Sequence, residues 1–355
     1  MSEMEYPRLR VKVLSSLPAA IWMHQFPHNE PVWDGCEFTF ERDARDYDWL
    51  LVYDDLPERK GEPKKTTREE LACPRAHTLL VTSEPSSVKI YGDSYTRQFG
   101  AVLTSQPEWA LPHPQRIFSQ PALHWFYGMG SREVLPFDRM FDEPPLEKSC
   151  NASMVYSPKA MRHTLHHHRA HFMRWLVEHM PELDTFGRQT AHPLDDKADC
   201  LREYRYHVAI ENFIGEHHWT EKLADPFLGL SLPFYYGCPN AEDYFPADSF
   251  IRIDIRDPQS ALEIIRAAIA NNEYEKRLPA LIEARRRVMF EYNLFAVAAR
   301  EIARLHQADA QAEAGEVVLS RRALRRSSPL VALRDVYGKL RGRLRHLPGA
   351  ISGKS

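Results

Sequence analysis

Residues 206–251 read YHVAIENFIGEHHWTEKLADPFLGLSLPFYYGCPNAEDYFPADSFI. The run 206–210 ends in Val208, Ala209 and Ile210, as expected of a strand buried in a parallel sheet. Glu211 and Asn212 stand at its C-terminal end, followed by a polar loop with His217, His218 and Trp219. Thr220-Glu221-Lys222 then opens an apolar helix containing Leu223, Phe227 and Leu228, with Thr220 as its N-cap. Further strands are expected over 232–236 and 250–255. Strand, helix and strand in this order make the chain an α/β protein. In an open parallel sheet, ligands settle at the C-terminal strand ends beside a helix N-terminus. Amides and the helix dipole favour an anion there, and Lys222 adds a full charge. Glu221 carries a carboxylate suited to sugar hydroxyls. The plain alternative leaves Glu221 and Lys222 as solvated first-turn residues.

The same alternation extends outward from this stretch. Candidate strands fall at 10–14, 49–53, 78–82, 101–104 and 152–156. Helices are expected over 164–179, with Phe172, Trp175 and Leu176 on one face, over 258–270, and through 273–306. A segment with Pro136, Asp138, Asp142, Glu143, Pro144 and Pro145 reads as a linker. The expected organisation is an N-terminal domain over 1–145, a second domain over 146–310 and a tail over 311–355. Two α/β halves imply a ligand cleft between them.

Composition bounds the function. The chain has 355 residues, 15 Gly and 26 Pro, with 43% hydrophobic and 27% charged residues, which excludes collagen and wholesale disorder. So few glycines also argue against a glycine-rich phosphate cradle. Cys36, Cys73, Cys150, Cys200 and Cys238 are widely spaced and form no CxxC pair, so neither a disulfide framework nor a structural zinc site is expected, and a reduced cytoplasmic setting fits. No apolar window reaches the ~18 residues of a membrane span, and the charged start does not read as a signal peptide. Net charge is −3 overall but +9 over 321–355, where ten Lys/Arg meet only Asp335, so the body before it carries −12. Leu330, Leu333, Tyr337, Leu340, Leu344 and Leu347 form an apolar stripe among those cations. One reading is an amphipathic helix on an anionic membrane surface; the other is a docked or solvated C-terminal helix. The acidic body argues against nucleic acid as a partner.

Other chemistry-bearing residues punctuate the chain. Leu79-Leu80-Val81-Thr82 delivers Glu84 to a strand end, and Asp54 and Asp55 follow another strand, where a turn role is favoured over acceptor contact. Arg169 lies on the helix after residue 164, where a guanidinium suits phosphate oxygens. His163, His166, His167, His168 and His171 surround it without a Cys or carboxylate to complete a metal set, so no metal is expected.

The stretch closely resembles the donor-binding region of the family 10 glycosyltransferases, the α-1,3/4-fucosyltransferases. The resemblance rests on Glu211-Asn212, Thr220-Glu221-Lys222-Leu223, Leu232-Pro233-Phe234-Tyr235-Tyr236-Gly237-Cys238-Pro239-Asn240 and Pro246-Ala247-Asp248-Ser249-Phe250-Ile251, in the family's order and spacing. It extends over roughly residues 75–300. It implies a GT-B fold, in which two Rossmann-like domains face one another across a cleft. It also implies GDP-β-L-fucose as donor, no required cofactor, inversion to an α-fucoside, and a glycan acceptor such as O3 of GlcNAc or Glc in lipopolysaccharide. Glu221 would hold the ribose, Lys222 and Arg169 the diphosphate. Asn212, His218 and Glu211 would lie in the nucleotide pocket, and Glu84 would be the catalytic base. His218 stands where a bacterial family member has Tyr, and Trp219 replaces a smaller residue, which would alter the pocket wall. Such an enzyme would be cytoplasmic and peripheral on the inner membrane face. Another GDP-sugar as donor, or a non-catalytic glycan- or nucleotide-binding protein, are the competing expectations.

Overall fold

Runs of apolar residues with no polar face can be satisfied only in the middle of a covered parallel sheet. Trp49–Tyr53 is such a run, buried at every position. In the computed structural model, which describes residues 8–58, 61, 63, 66–121, 123–156, 166–187, 190 and 192–351, runs of this kind centre two separate sheets. The chain divides into two compact units: Met1–Ala122 with Leu294–Leu344, and Leu123–Asn293 with Arg345–Ser355.

The first unit contains β1 (Leu9–Leu14), β2 (Val32–Trp33), β3 (Cys36–Thr39), β4 (Trp49–Tyr53), β5 (Arg68–Glu70), β6 (Thr78–Val81), β7 (Ala101–Thr104) and β8 (Arg116–Phe118), with short helices α1 (Ala19–Met23) and α2 (Asp93–Thr96). Its main sheet has the order β2-β3-β1-β4-β6-β7-β8, parallel except at the β2 edge.

The second unit holds α3 (Phe137–Asp142), β9 (Cys150–Val155), α4 (His166–His179), β10 (Asp184–Phe186), β11 (Tyr204–Ile210), α5 (Glu221–Leu228), β12 (Leu232–Tyr236), β13 (Ile251–Arg252), α6 (Pro258–Ala270) and α7 (Glu273–Phe290). Its sheet is fully parallel with the order β10-β9-β11-β12-β13. The first strand in sequence, β9, lies between β10 and β11. Connections therefore leave it in opposite directions, and the C-terminal ends of β9 and β11 form a topological switch point, where α/β sheets open a crevice for ligands.

The chain then returns to the first unit through α8 (Leu294–Leu305), β14 (Val317–Leu319), α9 (Arg321–Ser327) and the part of α10 (Pro329–Ile351) up to Leu344. Phe295 of α8 packs on Phe26 at 3.9 Å and on Phe38 at 5.0 Å between ring centroids. β14 pairs antiparallel with β5, and its Val318 joins the buried core with Leu50, Leu80 and Val102. Three corrections follow. The units change at 122 and 294, not at 145 and 310. The proline-rich segment is no free linker, because Phe137 and Met140 of α3 are buried within the second unit and Phe137 meets Phe290 edge-on at 5.3 Å. Nor is 311–355 a separate tail. Arg321 is buried and donates to the carbonyls of Ile90 at 2.6 Å and Tyr91 at 3.2 Å.

α10 presents its small residues inward. A side chain at Gly342 would come within 3.1 Å of Ile90, and Asp335 on the same side lies 3.5 Å from Arg325. The apolar stripe faces outward: Leu330, Leu333, Val336, Tyr337, Leu340 and Leu344 are 55–68% exposed. Among the described residues no helix is long and apolar enough to cross a membrane.

Most expected elements fall in place, with Trp49–Tyr53, Ala101–Thr104, Leu232–Tyr236 and Pro258–Ala270 matching residue for residue. The strand expected over 250–255 shrinks to Ile251–Arg252, an edge strand. Of the helix expected from 164, residues 164 and 165 lie outside the described residues.

Candidate functional site

Six of the seven candidate residues belong to the second unit; Glu84 belongs to the first.

In the second unit, the amide of Glu211 donates to Tyr236 O at 2.8 Å, extending the β11–β12 ladder by one residue. This sets the Glu211 carboxylate, fully buried, beneath the start of α5. It accepts from Thr220 N at 2.8 Å and from Thr220 Oγ1 at 2.8–2.9 Å. A Cβ on Gly237 would stand 2.5 Å from Glu211 Cγ and 2.3 Å from the Tyr235 hydroxyl, so only glycine admits the carboxylate here. Burial pushes Glu211 up to about 7, with Lys222 pulling the other way. Thr220 caps α5 as its sequence implied, its Oγ1 accepting from Lys222 N at 3.3 Å.

Lys222 Nζ lies 2.7 Å from Glu221 Oε1 and 3.8 Å from Glu211 Oε2. Burial works against both charges of the Glu221–Lys222 pair, but each outweighs it for the other. With help from Lys197, the Glu221 carboxyl falls to about 2, and with help from Glu211 the ammonium of Lys222 is raised. Both groups are therefore ionised at neutral pH.

A cavity of about 170 Å³ opens at the β9/β11 switch point. Its polar lining is Arg169, Lys197, His207, Glu221 and Lys222; its floor is Val155 from the end of β9 and Val208, Ala209 and Ile210 from β11. Arg169 comes from α4, whose Ala170, Phe172, Met173 and Leu176 are buried. Burial lowers the Arg169 pKa while Glu211 and Glu221 counter it, and a guanidinium keeps its charge. Its Nε–H is buried with no acceptor among the described residues. Such a group carries a desolvation cost that an incoming anionic oxygen removes.

His207 supplies a neutral wall. Ser153 Oγ donates to Cys200 O, so at 2.8 Å it accepts from His207 Nδ1–H, leaving Nε2 as the acceptor; this tautomer is assigned from the network. Burial, then the charge of Lys197, holds the ring well below its ordinary pKa.

Arg169, Glu221 and Lys222 thus share one cavity. Glu211 does not line it and reaches it through Thr220 and Lys222. Asn212 and His218 occupy the loop between β11 and α5. The Asn212 Oδ1 is buried without a partner among the described residues, and His218 is held down to about 3 by burial and Lys222. That loop is fixed from the Tyr-Tyr-Gly segment: Asn240 Oδ1 accepts from His217 N at 2.7 Å, with His217 at φ 60°. Trp219 does not form the pocket wall expected of it; it is buried against Phe245, Tyr244 and Tyr292 at 4.9–5.7 Å. Of the histidines around Arg169, His163 and the side chains of His166 and His167 lie outside the described residues, and His171 is exposed. Among the described residues no group of three or more His, Cys, Asp or Glu is placed to hold a metal.

In the first unit, Glu84 follows β6 at the C-terminal edge of the sheet. Tyr91 Oη accepts from Ser83 N at 2.9 Å and Glu84 N at 3.4 Å, and donates to Asp54. Gln106 Nε2 donates to Glu84 O at 2.7 Å. Asp54, at φ 72°, also accepts from Ser83 Oγ at 2.8 Å and Lys89 Nζ at 2.5 Å. Asp55 accepts from Leu56 N at 2.9 Å and Arg321 N at 3.1 Å. For Asp54 the turn role is thus also an anchoring role for the loop carrying Glu84.

Sequence reading missed Lys197, His207 and Asp225. Asp225 is buried in α5, where its Oδ1 accepts from Phe126 N at 3.0 Å and Tyr127 N at 3.2 Å. A signal for Lys197 existed: Asp196-Lys197-Ala198-Asp199 is a capping box, with both reciprocal bonds formed.

Comparison with known proteins points to one family. Residues 147–276 match the family model described as glycosyltransferase family 10 (fucosyltransferase) C-term. The 4-galactosyl-N-acetylglucosaminide 3-alpha-L-fucosyltransferase 9 of Rattus norvegicus is 28% identical over 153 residues, 41% of this chain and 40% of that protein, and the Homo sapiens protein of the same name gives the same figures. The chain thus matches less than half the length of these curated relatives. A crystal structure of an alpha1,3-fucosyltransferase with GDP superposes with a TM-score of 0.48 at 16% identity, covering 87% of this chain and 94% of that one.

Proposed function

We propose, from the match of residues 147–276 to the glycosyltransferase family 10 model, that this chain is a member of that family and transfers L-fucose from GDP-β-L-fucose to a hydroxyl of a glycan, with inversion to an α-fucoside. The observation that carries the reading is the cavity at the β9/β11 switch point, where Arg169 and Lys222 converge beside an ionised Glu221. Two cations at the start of a capped helix suit a diphosphate, and a carboxylate beside them suits ribose hydroxyls.

As the donor's C1–O bond breaks, negative charge grows on the leaving diphosphate. Arg169 and Lys222 stabilise that charge from fixed positions, with the dipole of α5 behind them. Positive charge grows on the sugar, and the acceptor hydroxyl attacks from the opposite face while Glu84 takes its proton. Glu211 holds Thr220 and keeps Lys222 charged, a supporting role behind the donor. The acceptor hydroxyl is O3 of GlcNAc or Glc in a surface glycan such as lipopolysaccharide.

The test is transfer by the full chain from a panel of GDP-sugars, read by mass spectrometry of the products. Fucose transfer is expected; transfer of another sugar alone overturns the donor, and GDP binding without turnover of any donor makes the chain a binding protein.

The reading includes peripheral attachment to the cytoplasmic membrane face, supported by the outward leucines of α10 and the cations beside them. Leu333→Ser with Leu340→Ser is expected to abolish co-flotation with vesicles containing anionic lipid. These positions, unlike Arg321, lie outside the core; equal flotation of variant and parent sinks the attachment.

A further inference from the structure

We propose that Lys197 is a third cationic ligand of the donor diphosphate, acting with Arg169 and Lys222. The inference rests on the donor reading of this cavity. Lys197 is the first residue of a short 3-10 turn, fixed by the capping box of Asp196 and Asp199. That turn sends its side chain into the same cavity as Arg169, Lys222 and Glu221.

Two further observations separate Lys197 from a surface lysine. Its side chain is only 17% exposed. It pairs with Asp225 Oδ2 at 3.7 Å, beyond hydrogen-bond reach, while the other Asp225 oxygen takes the Phe126 and Tyr127 amides. A largely covered ammonium that lines the cavity, near one carboxylate but not hydrogen-bonded to it, is placed to bind an anion there.

The charge agrees. The cavity is lined by three cations and by one carboxylate, Glu221. Burial and then the charge of Lys197 keep His207 neutral, so this part of the lining adds no competing positive charge. The three cations come from α4, the turn before β11, and α5. They therefore approach the ligand from three separate elements of one unit.

The experiment is calorimetric titration of the full chain with GDP and with GMP, for the parent, Lys197→Met, Lys197→Arg, and Lys197→Met combined with Asp225→Asn. Lys197→Met is expected to weaken GDP binding about 10- to 100-fold, the range for losing one charged hydrogen-bonding partner, with a smaller loss for GMP. Lys197→Arg recovers part of the GDP loss. If Lys197 serves only to neutralise Asp225, the double variant regains parent affinity, and the proposal fails. Unchanged GDP affinity in Lys197→Met also overturns it, provided the parent binds GDP. A parent that binds no GDP overturns the donor reading itself.

Discussion

The C-terminal edges of the two sheets are built alike and finished differently. In the first unit, β4 and β6 deliver Asp54 and Ser83 to a network in which Asp54 takes hydrogen bonds from Ser83, Lys89 and Tyr91. In the second, β11 delivers Glu211 beneath a cavity where the Arg169 Nε–H has no acceptor among the described residues and Lys197 falls short of its carboxylate. The first edge spends its polar groups on its own backbone and fixes the loop that carries Glu84. The second leaves cationic donors unanswered, held in place by Thr220, Glu211 and two caps. The same architecture thus serves as a mount on one side and a receptacle on the other.

The contrast is breakable. The largest effect is expected from Glu84→Gln, which should cut turnover on the order of 10²- to 10⁴-fold, the range for a general base, while GDP affinity stays at the parent value. Near-normal transfer by this variant would remove the base from the first edge. Next, Lys222→Ala should weaken GDP about 10- to 100-fold by calorimetry, because it removes one of the cations of the proposed diphosphate site. Unchanged affinity would mean that its open donors face no diphosphate. The smallest functional effect belongs to Tyr91→Phe. It deletes a buried hydroxyl that joins Asp54 to the amides of Ser83 and Glu84, so stability to urea should fall by about 1–3 kcal/mol. Turnover should drop a few-fold with GDP affinity unchanged. Loss of GDP affinity in that variant would contradict the separation of mount from receptacle.

Much of this was legible in the chain. Buried parallel strands such as Trp49–Tyr53 and Leu232–Tyr236 announce themselves as unbroken apolar runs. α6 is bracketed by Asp257 as cap and Pro258 at its first position. Thr220, Glu221 and Lys222 were readable because a cap, a charge pair and an apolar helix fall in one short window. Other features depend on contacts far apart in sequence. Nothing near Phe295 says that it will pack on Phe26, and β14 and β5 are each three residues long, too short to signal a pairing. The prolines of 136–145 suggested a linker because proline is a local signal, whereas the burial of Phe137 and Met140 is a tertiary one. Lys197 was overlooked in a polar loop, its importance set by what lies across the cavity. Glu211 was read as a nucleotide contact, and its position shows a residue working one layer behind the surface.

The return of the chain through Phe295 and Val318 also bears on how the protein is made. Synthesis runs from the N-terminus, so residues 1–122 are made before the α8 side chains and the β14 strand that complete their core. Residues 123–293, including the whole five-stranded sheet, are available before Leu294–Leu344 leaves the ribosome. Although it follows in sequence, the sheet of the second unit is the part equipped to fold first, and the mount closes only once Leu294–Leu344 has been made.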